Sequence, residues 1–406
     1  MILRAALLLL CFSMPAVAQD RAGVERHFRS WLDQTIWPRA AQQGVSRATF
    51  ESALGQVRLD WDLPDLVPPG SAPGPRAQEQ AEFGAPAGYF RSVAGAASTG
   101  RQLAARHSAT LDRVTRATGV PGHIVLAIWG RESGYGRVDI PHDAFRVLGT
   151  KGFMSTRADY FADELVAALQ IAEARHAPPG AMRSSWAGAL GQPQFMPSSF
   201  LSFAADGDGD GRADIWRSEP DTLASIGTYL ARHGWQAGRD WGFEVDVPAH
   251  ISCALEGPDN ARRIADWVEM GITRVSGRPF PAHELGQSGS LLMPAGRLGP
   301  AFVVTPNFYV LKDYNMSDLY ALYVGHAGDR IAYGSGDFAR PWRPVDRLLR
   351  SEIAGMQRAL QAMGHDVGGA DGLPGFKTRR SVGLWQAATG QAATCFPASE
   401  MTKTLR

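Results

Sequence analysis

The chain has 406 residues, 45% of them hydrophobic, with 41 basic and 40 acidic side chains and a net charge of +1. That length and apolar content support a large core and more than one domain. The balanced charge excludes a whole-molecule electrostatic attraction to nucleic acid, and the absence of a Cys/His cluster at ligand spacing excludes a zinc site.

Residues 1–18 read as a cleavable signal peptide: Arg4, an apolar run from Ala5 to Phe12, and a small-x-small site at Ala16-Val17-Ala18. The run is too short to span a bilayer, and no later segment is long enough, so export without a transmembrane anchor is expected. Cys11 follows Leu8-Leu9-Leu10 rather than a small residue, which argues against lipid attachment. Cleavage leaves Cys253 and Cys395. They lie far apart in sequence and are expected to be free buried thiols rather than a disulfide.

Residues 20–57 are expected to be helical. Phe28, Trp31, Leu32 and Ile36 recur at helical spacing, Trp37-Pro38 marks a break, and Ser46 is a good N-cap for a following helix. Residues 62–88, rich in Pro, Gly and Ala, read as a long extended loop. Helix returns from Tyr89 to Ile128. The segment Ile124–Gly136 is the most informative of the chain. An apolar run ends at Trp129, a lone Glu132 follows, and Gly134 and Gly136 stop the helix. Ile128 and Glu132 share a helical face, which carries the carboxylate towards the interior or a cleft. A carboxyl group among Ile, Trp and Tyr side chains is hard to ionise and suits a general acid.

Ser155 to His176 is an amphipathic helix ended by Pro178-Pro179-Gly180. Ser184 to Pro197 combines three glycines, two amides and Trp186, a composition that fits a loop closely approached by a polar ligand. There is no GxSxG elbow and no phosphate-cradling glycine loop. Asp206, Asp208, Asp210 and Asp214, with Gly211 between the last two, match the first, third, fifth and ninth positions of an EF-hand calcium loop. The twelfth position is Arg217 instead of Glu, and Asp221 at the head of the next helix is the substitute ligand. The metal set is Asp206, Asp208, Asp210, Arg212, Asp214 and Asp221. Clustered carboxylates repel without a cation, so structural Ca2+ is expected, with no organic cofactor.

Pro220 to His233 is a helix. Strands are expected at Phe243–Val247, Ser290–Met293 and Ala301–Val304, and helix again from Ser317 to Gly325. Gly334 to Pro344 reads as a linker. The tail reads as helix, Asp371-Gly372 turn, helix: a separate small module. The expected fold class is therefore mainly α with a small β part.

Four of these segments resemble, in this order, the lytic murein transglycosylases of the membrane-bound B type. They are Glu132-Ser133-Gly134-Tyr135-Gly136, the GALGQPQFMPSSF block at 188–200, the DGDGDGRADIW loop with Tyr229 and HGW at 233–235, and the tail with its ALQ…DG…T…WQ pattern. The resemblance implies a lysozyme-like catalytic domain over 19–340 and a three-helix peptidoglycan-binding domain over 346–406, with Trp385-Gln386 in place of Phe-Gln. It implies that Glu132 is both acid and base in cleaving the MurNAc–GlcNAc bond, leaving a 1,6-anhydro ring. It suggests substrate contacts from Ser185, Gln194, Tyr229, Asn315 and Tyr320, with Arg157 and Tyr89 as weaker carry-overs. The implied partners are peptidoglycan glycan strands and, as candidate protein partners, cell-wall synthesis or secretion machinery. The cleavable signal departs from the family's lipoprotein founders and implies a soluble periplasmic form. The tail is expected to add wall affinity without chemistry. The rival readings are a lysozyme-like hydrolase and a non-catalytic wall-binding protein.

Overall fold

The computed structural model describes residues 20–72 and 86–405. The expected signal peptide and Cys11 lie outside these residues, as does the middle of the Pro/Gly-rich loop. No helix among the described residues is long and apolar enough to cross a membrane.

The chain begins with α1 (Arg21–Trp31), α2 (Trp37–Gln42) and α3 (Arg47–Leu54). The expected break at Trp37-Pro38 does not interrupt the helix. A π-helical turn over Leu32–Ile36 widens the coil just ahead of Pro38, which sits near the start of α2, where a missing N–H costs least. Ser46 caps α3 by accepting from the Thr49 N–H at 3.2 Å.

The middle of the fold is built from α4 (Val93–Arg106), α5 (Ser108–Thr118) and α6 (Gly122–Ser133). They are followed by α7 (Ala144–Met154), α8 (Ala158–Glu173), α9 (Pro197–Phe203) and α10 (Glu219–Arg232). A two-stranded ribbon pairs β1 (His142–Asp143) with β2 (Arg183–Ser184). Residues Ile124 to Trp129 of α6 are all buried, so this helix is covered on every side rather than along one stripe. Its neighbours are α4, α5, α10 and α14 (Asp318–Tyr333).

The β part is a five-stranded antiparallel sheet in the order β4-β6-β8-β3-β5. Its strands are β3 (Gly242–Asp246), β4 (Arg262–Arg263), β5 (Thr273–Arg274), β6 (Ser288–Leu292) and β8 (Ala301–Val304). The short β7 (Pro294–Arg297) lies between the last two, and α11 (Ile264–Glu269), α12 (Ala282–Leu285) and α13 (Pro306–Asp313) complete this region. Phe243, Val245, Ile264, Trp267, Leu291 and Val303 form a core distinct from the large helical one. The tail folds as α15 (Arg350–Ala362), α16 (Phe376–Ala388) and α17 (Ser399–Thr404) around Ile353, Met356, Leu360, Val382 and Trp385.

Two expectations are corrected here. Cys253 and Cys395, 142 residues apart in sequence, form a disulfide with Cα atoms 6.3 Å apart. Docking of the tail against the sheet brings Cys395 into the sheet core beside Cys253, a proximity that sequence distance could not reveal. The segment read as a linker is no free tether. Phe338 stacks on His326 at 4.1 Å and Trp342 on Phe90 at 5.4 Å. The backbone N–H groups of Ala339 and Arg340 donate to the Glu244 carboxylate, and Arg340 pairs with Asp246 at 2.6 Å. Aromatic anchors and ion pairs pin this stretch to the sheet despite its Gly and Pro content.

Candidate active site

Glu132 ends α6, and its position follows from local sequence. Gly134 takes the left-handed conformation at φ 57° and closes the helix, its N–H donating to Gly130 O and the Tyr135 N–H to Trp129 O. Tyr135 folds back over the helix, where Gly130 leaves room: a Cβ there would lie 2.5 Å from the Tyr135 ring. The Tyr135 hydroxyl donates to Ala96 O on α4 at 2.7 Å. On the other side, the Trp129 indole N–H donates to the Gln192 Oε1 at 2.8 Å, which ties α6 to the Gly-rich loop.

Glu132 itself is half-buried, and the Tyr320 hydroxyl donates to its Oε1 at 2.5 Å. Loss of water pushes the carboxyl from an ordinary 4.5 up to about 7, against the lowering effects of the Tyr320 hydrogen bond and the Arg131 charge. No other carboxylate is among the groups that set its proton affinity. Burial and the nearby Glu132 charge hold the Tyr320 hydroxyl well above its ordinary range, so it stays a donor.

From this pair the site extends through aromatic side chains. Tyr314 stacks on Tyr320 with centroids 6.1 Å apart and planes 12° apart, and its hydroxyl donates to Pro193 O at 2.8 Å. Tyr229 lies 4.7 Å from Tyr314 and donates to Asp313 O at 3.0 Å. Gln194, next to Pro193, is held at φ 53° and its amide donates to Gly191 O at 2.9 Å. A side chain in the left-handed region is uncommon and persists where the surroundings fix it. Tyr89 lies beneath the Arg131 guanidinium at 4.5 Å. Thus Glu132, Tyr320, Tyr314 and Tyr229 are linked by direct contacts, while Gln194 and Tyr89 adjoin them through Pro193 and Arg131.

The remaining candidates hold their own surroundings rather than Glu132 or Tyr320. Ser185 organises its own turn, its Oγ accepting from the Ala189 N–H at 3.2 Å, beside the exposed Trp186. Asn315 is exposed on the turn between α13 and α14. Arg157 packs on Tyr160 at 4.1 Å and on Phe161 at 5.6 Å, contacts that lie within its own helix start and do not join it to Glu132. Sequence reading missed Tyr314 and Arg131, and it read Gln192 as a loop amide facing a ligand rather than as the acceptor of the Trp129 indole N–H. Tyr314 was visible as the partner of Tyr320 in the YNMSDLY segment, but nothing in the sequence showed that the two rings stack.

The acidic loop divides its carboxylates. Asp206, Asp208 and Asp210 bring oxygens within 4.8 Å of one another at the surface. Asp221 is buried, and its two oxygens accept from the N–H groups of Gly207 at 2.9 Å and Asp214 at 2.7 Å. Asp214 caps the Trp216 and Arg217 N–H groups at 3.0 Å. Of the six expected ligands, Asp206, Asp208 and Asp210 gather their oxygens, Asp214 and Asp221 accept from backbone N–H groups at the base of the loop, and the Arg212 N–H donates to Asp210 at 2.9 Å. An all-oxygen trio on a flexible glycine loop fits a hard cation such as Ca2+.

The Transglycosylase SLT domain family matches residues 27–329. The chain belongs to the B-type lytic murein transglycosylases. The membrane-bound lytic murein transglycosylase B of Escherichia coli (strain K12) is 32% identical over 225 residues, which are 55% of this chain and 60% of that protein. SltB3 of Pseudomonas aeruginosa, solved with NAG-anhNAM-pentapeptide, is 34% identical with a TM-score of 0.81, over 93% of this chain and 99% of that one. Escherichia coli SLT35, solved in complex with calcium, is 25% identical with a TM-score of 0.59, over 77% of this chain and 93% of that one. The transglycosylase family assignment covers nearly all of the helical unit and the whole sheet region, and the SltB3 likeness extends into the tail.

Proposed function

We propose that this transglycosylase cleaves the β-1,4 bond between N-acetylmuramic acid and N-acetylglucosamine in peptidoglycan without water, and that Glu132 is its single acid and base. The observation that carries this reading is a half-buried carboxyl with its pKa near 7, held by one tyrosine hydroxyl, with no second carboxylate acting on it. A group at that pKa is protonated often enough to give a proton and basic enough to take one back.

Glu132 protonates the bridging oxygen as the bond opens. Tyr320 then steadies the carboxylate that results. The muramyl 6-hydroxyl is tethered to the reacting sugar and attacks with high effective molarity, returning its proton to Glu132 and closing the 1,6-anhydro ring. A two-carboxylate hydrolase would need a second acid to activate water. Gln194, Tyr229, Asn315, Ser185 and Tyr89 are the proposed sugar contacts, offering amide and hydroxyl partners around the aromatic floor. SltB3 is solved with a NAG-anhNAM fragment, which favours the same product here. Arg157 is an outlying contact on this reading.

Ca2+ at Asp206, Asp208 and Asp210 would cross-link the loop that leads into α10, the helix carrying Tyr229; the calcium complex of SLT35 supports this reading. Export to the periplasm by the signal at residues 1–18, a catalytic unit over 19–340 and a peptidoglycan-binding module over 346–406 belong to the same proposal, as do glycan strands and wall-synthesis or secretion proteins as partners. The test is mass spectrometry of muropeptides released from purified sacculi. Products should be about 18 Da lighter than hydrolytic ones, as intramolecular closure demands, and resist borohydride. Reducible muramic acid ends would favour the lysozyme-like hydrolase.

A further inference from the structure

Asn315, Ser317 and Tyr320 share a short segment whose conformation is unusual and externally held. Met316 has a φ of 54°, a left-handed conformation costly for a non-glycine residue. Its N–H turns back to Lys312 O, and Asn315 N–H does the same at 3.1 Å. Ser317 caps α14 by accepting from the Tyr320 N–H at 3.1 Å. The turn is clasped at its ends: Lys312 Nζ meets Asp318 Oδ1 at 2.7 Å.

The second oxygen of Asp318 is taken by the tail. Arg379 on α16 donates to Asp318 Oδ2 at 3.1 Å and to Glu256 Oε1 at 2.6 Å. Arg379 and Glu256 are almost fully buried. Lys312, Asp318, Arg379 and Glu256 thus form a charge-balanced chain running from the sheet, through the tail, to the first turn of the helix that carries Tyr320. Burial alone would raise Asp318, but Lys312 and Arg379 outweigh it and hold the carboxyl below its usual range. The disulfide and the Arg380–Asp259 pair at 2.7 Å keep α16 in register with this chain. A cavity of about 520 Å³ opens between the clasped turn and the tail, with Tyr89 and Asn315 on one wall and Gly368 and Phe376 on the other.

We propose that Arg379, although it belongs to the C-terminal module, is a positioning residue of the glycan-cleaving site, acting through Asp318 on the Asn315–Tyr320 segment. It touches neither sugar nor the reacting atoms; it fixes the turn that aims Tyr320 at Glu132. The module is then part of the catalytic apparatus as well as a wall anchor, so removal of residues after about 340 strips a support from the cleft. This inference rests on the reading of Glu132 as general acid.

The groups facing Glu132 are Arg131, Tyr320 and Tyr314. The Tyr320 hydrogen bond favours the ionised carboxyl, so a displaced Tyr320 raises the Glu132 proton affinity. The experiment uses the full-length protein on a short soluble glycan that needs no wall binding, with rate against pH and melting recorded for each variant. Arg379→Met and Asp318→Asn should each lower kcat by about tenfold or more, a size expected of misplaced catalytic groups, with a smaller rise in KM from the displaced Asn315. In both, the alkaline limb of the kcat profile should move upwards in pH, and Arg379→Lys should recover part of the shift. Because both act on one chain, the double variant should be no worse than Asp318→Asn alone. Should Arg379→Met fail to fold, Asp318→Asn, which retains the Arg379–Glu256 pair, carries the test. Folded variants whose limb stays at the wild-type position, or losses that multiply in the double variant, would overturn the proposal. Reducible products from the wild type on the same glycan would instead overturn the transglycosylase reading itself, which the variants do not address.

Discussion

Two carboxylate sites in this protein use the same functional group to opposite ends. Glu132 sits half-buried at the end of a fully packed helix, has one hydroxyl donor, and is pushed up to about 7 by loss of water. Asp206 sits in an exposed loop and is held below its ordinary range by the N–H groups of Gly211 and Gly209. One carboxyl keeps its proton near neutrality and the other gives it up readily. Residue type does not decide between the two. Desolvation against backbone donors does.

The sharpest way to break this contrast is to remove the proton from one side only. Glu132→Gln keeps the shape and the Tyr320 neighbour but cannot transfer a proton, and turnover of sacculi should fall by ~10²–10⁴-fold or more. Activity within about tenfold of wild type would return Glu132 to a structural role, given what a general acid contributes.

A smaller effect is expected from its donor. Tyr320→Phe should slow cleavage by about tenfold, less than the ~10²–10³-fold lost with an oxyanion-hole donor, because the hydroxyl holds the acid rather than the reacting sugar. Since the wild-type acid is protonated below about 7, its rate should fall as pH rises through that value. In Tyr320→Phe the fall should come at higher pH, and an unmoved profile would show that the 2.5 Å contact does not tune the acid.

On the loop side, added Ca2+ should stabilise the native state by about 3 kcal/mol at a hundredfold excess over Kd, read as a melting rise of several degrees. Asp208→Ala, which removes one of the gathered trio, should abolish the rise. Equal melting with Ca2+ and with chelator would deny the loop its metal.

The mildest effect concerns stability. A carboxyl whose folded pKa lies above its unfolded value favours the fold while protonated, so the Glu132 contribution is present below about 4.5 and lost as pH rises to about 7. Glu132→Gln should therefore melt higher than wild type above pH 7 and equally below 4.5. The gain should be on the order of 1–3 kcal/mol after allowing for solvent. A variant less stable at pH 8 would mean that Glu132 is not strained in the fold.

Much of the helical framework was legible because it rests on local rules. Ser46 caps its helix, the α8 pattern announces itself, and Gly134 ends α6 where a positive φ is needed. The three expected strands appear as β3, β6 and β8. The alternation of β3 and the short apolar runs of β6 and β8 are short-range information as well.

By itself the sequence determined that a lone carboxylate ends an apolar helix, that glycines stop it there, and that an acidic loop precedes α10. These are consequences of residue spacing and backbone preference. Only the tertiary structure decided that α6 is packed on every side, that Tyr314 and Tyr320 stack beneath Glu132, and that Asp221 serves backbone amides. It also decided that Cys253 meets Cys395 and that Arg379 reaches Asp318 across 61 residues. Each of these joins groups remote in the chain, and their meeting depends on how whole elements pack. The apolar run before Glu132 announced its desolvation locally, but nothing beside Arg379 in the chain announced its burial, because the carboxylates that offset its desolvation come from remote segments.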